Sequence, residues 1–248
     1  MSAAAPRMRM FAGPNGSGKS VLKSYLPAEL LGAYLNPDEI EAGIRQTGFL
    51  DVGALGIETT AAEVLPYFTG SDFLKAEELA EAAGRFRFDG GRLDFAGVTV
   101  NAYFASVAVD FLRRKMLGQN ATFTFETVMS HPSKVALLEE AQRAGYRTYL
   151  YYVATDDPDI NVSRVRNRVG LGGHPVPEDK IVSRYHRSLD LLMEAIKHTN
   201  RAYIFDNSTD SADRKLAWVA EITEGQALEL KTDRIPPWFK GAVMDKIA

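Results

Sequence analysis

Gly13-Pro14-Asn15-Gly16-Ser17-Gly18-Lys19-Ser20 decides how this chain is read. The apolar run Met8-Arg9-Met10-Phe11-Ala12 leads into it, and Val21-Leu22-Lys23-Ser24-Tyr25-Leu26, which reads as a helix, leads out. The spacing G-x-x-x-x-G-K-S in a strand–loop–helix setting is that of a phosphate-binding P-loop. Its glycines let the backbone curl so that successive N–H groups point at phosphate oxygens, with the positive end of a helix behind them. On this reading Gly13 to Ser20 bind a nucleoside triphosphate, Lys19 reaches the β- and γ-phosphates as a point charge, and Ser20 offers its hydroxyl to Mg²⁺. The alternative, a Gly-rich turn with no ligand, leaves the filled pattern and correct flanks unexplained.

Working outward, Ala33-Tyr34-Leu35 reads as a short strand, followed by a helix that Asn36 caps and Pro37 opens. From residue 43 to about 100 the pattern is less regular. Helical composition over 59–68 and 72–83 and two short strands around Gly90-Gly91 predict a partly helical insertion. Asn101 to Leu117 has apolar residues at core spacing for a helix. Beyond it, strands over 121–126, 147–154 and 202–207 alternate with helices opened by Pro132, by Asp157-Pro158 and by Glu178. The segment 218–230 fits an edge hairpin around Glu224-Gly225, and Pro237 begins a short terminal helix. The alternation predicts an α/β fold, a parallel sheet with helices on both faces. The chain is expected to be one domain over 1–248, with an insertion at about 43–100, a lid, and a C-terminal extension at about 209–248. Right-handed crossovers bring the loops after the strands to one edge of the sheet, beside the P-loop.

The 248 residues carry 46% hydrophobic and 25% charged side chains, the balance of an ordinary globular protein. A net charge of −3 argues against a dedicated nucleic-acid binder. Absence of cysteine removes disulfides, thiolate metal sites and cysteine nucleophiles. The first residues lack the apolar region of a signal peptide and no run approaches a membrane span, so a cytoplasmic location without a membrane partner is the expectation.

Phosphoryl transfer needs the triphosphate held, an acceptor hydroxyl aligned, and positive charge over the migrating group. Asp38, just past a strand, is placed to accept the acceptor's proton, or else to satisfy helix-start N–H groups. Glu126, with Thr127 after it, ends a strand and could bind acceptor hydroxyls or a water on Mg²⁺, or be a solvated terminus. Arg164 and Arg168, at i and i+4, project from one helical face just before Gly170-Leu171-Gly172-Gly173-His174-Pro175-Val176-Pro177, the arrangement of a mobile lid over ATP. They would stabilise the transferring phosphoryl group; a solvated basic face is the alternative. His174 reads as a lid residue, and Asp206-Asn207-Ser208 as a turn or an adenine contact. No hydrolase nucleophile pattern or Walker B strand is evident, which favours a small-molecule kinase over a motor ATPase.

Taken together, the P-loop, Asn36-Pro37-Asp38-Glu39, Phe125-Glu126-Thr127-Val128-Met129-Ser130, Arg164 to Arg168 with Gly172-Gly173-His174-Pro175-Val176-Pro177, and Asp206-Asn207-Ser208 resemble the zeta-toxin-like P-loop kinases. These blocks follow the family's order over residues 7–208. The resemblance implies a fold related to polynucleotide and shikimate kinases, with ATP and Mg²⁺ as cofactors. It also implies Asp38 as catalytic base, Glu126 as an acid contacting substrate, and Arg164 and Arg168 in an arginine-bearing lid. The implied acceptor is a UDP-activated N-acetyl amino sugar such as UDP-N-acetylglucosamine, and an antitoxin protein is the implied partner. The GGHPVP lid belongs to a chromosomal branch, and the 43–100 insertion departs from the plasmid toxins. Two other functions compete: a nucleotide-operated ATPase or binding module, and a kinase of nucleic-acid ends.

Overall fold

The computed structural model describes residues 5–170, 173, 175–209 and 216–247, so His174 and Gly172 of the expected lid lie outside the described residues. The chain divides into two compact units, Met1–Leu31 with Thr124–Ala248, and Gly32–Phe123. In chain order the strands are β1 (Arg7–Ala12), β2 (Ala33–Leu35), β3 (Phe49–Asp51), β4 (Arg87–Asp89) and β5 (Arg92–Asp94). They continue with β6 (Phe123–Thr127), β7 (Arg147–Ala154), β8 (Arg201–Asp206), β9 (Ala217–Thr223) and β10 (Ala227–Leu230).

In the first unit the sheet runs β10-β9-β8-β7-β1-β6. Strand β7 is central and pairs in parallel with β1 on one side and β8 on the other. Its final residues Leu150 to Ala154 are all buried on alternating sides, the continuous apolar run of a strand covered on both faces. Helical segments cover each face. Tyr151 stands on the side of Phe11, Tyr203 and the helix-borne Tyr25, which meets Phe205 edge to face. Tyr152 stands on the other, bonded to Ser188 of the helix Glu178–Asp190 and packed on Trp238. The expected parallel sheet is therefore present, with one amendment: β9 and β10 add to β8 as an antiparallel edge hairpin.

Two helix expectations change. The helix after the P-loop is a 3-10 helix, Lys19–Tyr25, with Gly18 in the left-handed region at its start. The expected long helix from Glu178 ends at Asp190, and a second helix, Leu192–Lys197, follows.

The second unit holds the expected irregular segment. Its helix Pro37–Thr47 is capped by Asn36, whose side-chain oxygen accepts from the Asp38 and Glu39 N–H groups at 2.8 and 3.2 Å. The hairpin at Gly90-Gly91 forms between β4 and β5, and β3 adds an antiparallel strand at the other side of β5. Phe68, Phe86, Phe95 and Phe104 pack ring to ring at 4.5–6.4 Å and supply the core. Residues 72–83 form two short helices, Asp72–Ala76 and Ala80–Ala83, separated where Glu78 takes a positive φ of 57°.

An ion cluster around the buried Arg113 ties the helix Ala102–Gly118 to Tyr67 in this unit. Arg113 is 3% exposed and faces Asp110, which also accepts from Tyr67 and Arg114. Burial alone would raise the Asp110 carboxyl, but Tyr67 and the two guanidinium groups outweigh it and hold it at about 2. Its folded pKa lies below the unfolded one, so its stabilising contribution is complete above about pH 4 and fades as pH falls toward 2. Asp110→Ala removes a half-exposed carboxylate that bonds Arg113, Arg114 and Tyr67 and is expected to cost about 1–2 kcal/mol. Urea unfolding at pH 7 checks this, and an unchanged midpoint would show that Asp110 contributes nothing.

Candidate phosphate-binding site

The P-loop lies in the first unit, between the end of β1 and the 3-10 helix. Gly13, Gly16 and Gly18 have φ of 144°, 75° and 94°, conformations that L side chains rarely adopt. Two asparagines hold the curled backbone from outside. Asn161 Nδ2 donates to the Asn15 carbonyl at 2.6 Å, and Asn207 Nδ2 donates to the Ser17 carbonyl at 2.8 Å. A phosphate-binding loop needs its carbonyls turned away from the ligand so that its N–H groups can face it, and these bonds secure two of them. The Lys19 ammonium donates to the Gly13 and Pro14 carbonyls, both at 2.9 Å, at the mouth of the loop. Ser17 is fully buried, and its hydroxyl has no hydrogen-bond partner among the described residues. A phosphate oxygen would suit that donor, since a buried unpaired hydroxyl is otherwise costly. Ser20, at the start of the helical turn, is exposed.

Each asparagine is itself fixed. Asn161, fully buried in the helix Pro158–Gly170, accepts a hydrogen bond from Thr155 just past β7. Asn207, one residue past β8, donates its backbone N–H to the Ala154 carbonyl at 2.8 Å and accepts at its own carbonyl from Arg164 Nη1 at 2.8 Å. Arg164 thus ties the helix before the lid to the strand end beside the P-loop. Arg168, four residues on, is exposed, and its carbonyl accepts from Gly173 N–H at 3.0 Å. Tyr185, from the helix after the lid, donates to the Thr155 carbonyl at 2.6 Å, and burial pushes its phenol up beyond the usual range.

Glu126 and Thr127 close β6. The Thr127 hydroxyl accepts from Met129 N–H at 3.1 Å, and the following Val128 carbonyl accepts from Ser188 at 2.8 Å. Asp38 belongs to the second unit, where it is exposed in the first turn of the helix capped by Asn36. The structure therefore brings Gly13 to Ser20, Arg164 and the turn at Asn207 together within the first unit. Among the described residues no group of three or more His, Cys, Asp or Glu could hold a metal ion.

Asn161 escaped the sequence reading, and Asn207 was read as a turn or base contact. A signal existed for the first: Asn is a poor helix former that prefers caps, so an interior Asn flanked by the apolar Ile160 and Val162 points inward for a reason.

No family model matches the chain. An uncharacterized protein of Haemophilus influenzae is 31% identical over 67 residues, 27% of this chain and 48% of that protein. Among solved structures, a chain of the AvrRxo1-ORF1:-ORF2 complex with ATP superposes with a TM-score of 0.54 at 13% identity, covering 99% of this chain and 64% of that one. The PezAT chromosomal toxin-antitoxin system of Streptococcus pneumoniae matches with a TM-score of 0.47 at 16% identity, covering 88% of this chain and 73% of that one. The chain spans about half the length of the curated relative and 64% of the first structure. The superposition with the AvrRxo1 chain shows a shared α/β fold, built here on a mostly parallel sheet. An α/β fold with a mostly parallel sheet is what the alternation of strands and helices in the sequence predicted. Among the described residues no helix is long and apolar enough to cross a membrane.

Proposed function

We propose that this chain is a zeta-toxin-like P-loop kinase, an ATP- and Mg²⁺-dependent phosphotransferase that moves the γ-phosphoryl group to a hydroxyl of a small acceptor. The observation that carries the reading is the P-loop itself: three glycines at positive φ, carbonyls held outward by Asn161 and Asn207, and Lys19 at the mouth. The neighbour solved with ATP supports the choice of nucleotide. Bound Mg²⁺ would neutralise charge on the β- and γ-phosphates, with Ser20 as its protein ligand. Lys19 binds the same phosphates, and Arg164 keeps Asn207 and the lid helix aligned with the loop. Asp38 takes the acceptor's proton, and Glu126 orients the acceptor; both roles rest on the motif order. UDP-N-acetylglucosamine is the first acceptor to test. A cytoplasmic location and an antitoxin-like protein partner belong to the same proposal, and the ATP-bound neighbour is itself a two-component ORF1:ORF2 complex.

The test is transfer from γ-labelled ATP with Mg²⁺, comparing UDP-N-acetylglucosamine with a pool of cell metabolites and with nucleic-acid ends. Asp38→Ala is expected to bind ATP as well as the parent while transfer falls at least about a hundredfold. Label on the UDP-sugar that vanishes in the variant supports the toxin-like kinase, and label on another small molecule replaces the acceptor. Free phosphate alone, released equally by the variant, would turn the reading to a nucleotide-operated ATPase.

A further inference from the structure

The C-terminal segment carries none of the motifs read from the sequence, yet one of its side chains reaches the support of the P-loop. Trp238, in the turn Pro237–Phe239, is 6% exposed and packs on Tyr152 and Phe239 with ring centroids 6.0 and 5.9 Å apart. A buried indole N–H needs an acceptor, and this one donates to Asp206 Oδ1 at 2.8 Å. Asp206 is the last residue of β8. Its carboxylate also accepts from the Ser208 hydroxyl at 2.5 Å and from the Ser208 N–H at 3.2 Å, closing a tight turn over Asn207. Asn207 is the residue that holds the Ser17 carbonyl. From the same turn, the Ser208 hydroxyl accepts from Asp156 N–H at 2.9 Å, next to the Thr155 that fixes Asn161 on the Asn15 carbonyl. Both outer supports of the P-loop therefore converge on the turn that Asp206 closes; the strand ladder holds the Asp206 backbone, and Trp238 holds its side chain from outside that turn.

We propose that Trp238 is a positioning residue for the nucleotide site: its indole N–H fixes Asp206, so that Asn207 keeps the P-loop in its phosphate-receiving curl. The role rests on the nucleotide-binding reading, but the brace on the loop is measurable without nucleotide. A bond to a carboxylate is stronger than one between neutral groups, so loss of the indole N–H removes a strong restraint on Asp206 and leaves only the bonds from within its own turn. Packing alone is the competing account, and phenylalanine separates the two because it keeps an aromatic ring against Tyr152 and removes the N–H.

The experiment uses the full chain and Trp238→Phe. Amide hydrogen exchange over residues 11–22 is followed without nucleotide, and ATP affinity is measured by calorimetry with Mg²⁺. The expected result is loop exchange faster by about tenfold and an ATP Kd raised about five- to tenfold. The unfolding midpoint of the nucleotide-free chain should fall by only a few degrees, roughly 2–6 °C, so that the chain stays folded at the temperature of the assay. Asp206→Asn approaches the same contact from the other side, and the double variant should be no worse than the worse single one, because both changes act on one path. Unchanged loop exchange and affinity in Trp238→Phe, or additive effects in the double variant, would overturn the proposal. A parent chain that binds no ATP, but whose loop still loosens in Trp238→Phe, would sink the nucleotide reading and uphold the brace.

Discussion

Lys19→Ala is expected to reduce ATP-dependent phosphoryl transfer on the order of a thousandfold. The effect has two parts, and the structure says how to separate them. The ammonium is the one cation within the loop sequence, so its loss removes the charge that meets the β- and γ-phosphates. It also donates to the Gly13 and Pro14 carbonyls, so its loss leaves two backbone acceptors of the loop short of a donor. Lys19→Arg retains charge and donors but exchanges a compact point charge for a planar fork that does not fit the same mouth. Transfer should therefore fall steeply in both variants, whereas thermal stability should fall more in the alanine form. Turnover from γ-labelled ATP, measured beside ATP binding, checks this. Full activity in Lys19→Ala would remove the P-loop reading and the proposed function with it.

What could be read from the chain divides by the range of the physics involved. The P-loop, the Asn36 cap, the strand Arg147–Ala154 and the Gly90-Gly91 hairpin are local: each is written in neighbouring residues whose backbone preferences agree. The third strand of the small sheet was not legible, because Phe49-Leu50-Asp51 is too short to show alternation and exists through its pairing with β5. The antiparallel turn of β9 against β8 is likewise a tertiary outcome; a single pass of sequence marks the hairpin but not which strand it joins. The site follows the same rule. Lys19 and the glycines announce themselves by spacing, while Asn161 and Asn207 reach the loop from 146 and 190 residues away and carry no spacing signal. Arg164 was legible as a lid-side arginine but not as the donor to the Asn207 carbonyl, which makes it part of the loop's support. The tight 3-10 helix at Lys19–Tyr25 has no compositional mark that separates it from an α-helix over so few residues.

Gly13→Ala is expected to destabilise the first unit by about 4 kcal/mol or more, the range of severe backbone and overpacking defects. Two causes add. The residue sits at φ 144°, and a methyl group there would lie 2.0 Å from the Val153 carbonyl oxygen and 2.9 Å from Ser17 Oγ. The serine side chain can rotate, but Val153 cannot retreat: it is fully buried in the central strand, in register with Phe205 of β8. The loop must then lift off β7, which pulls the Asn15 and Ser17 carbonyls away from Asn161 and Asn207 and opens the phosphate cradle. Gly43→Ala is the matching control. It lies in the helix Pro37–Thr47 with nothing within 4 Å of an added methyl, so it should gain about 0.5–1 kcal/mol from helix propensity. Urea unfolding of both variants, with ATP titrated into any folded Gly13→Ala, reads the two effects separately. A Gly13→Ala chain as stable as its parent and binding ATP equally well would mean that the loop does not pack against Val153, and that the close backbone approach on which the site is built is absent in solution.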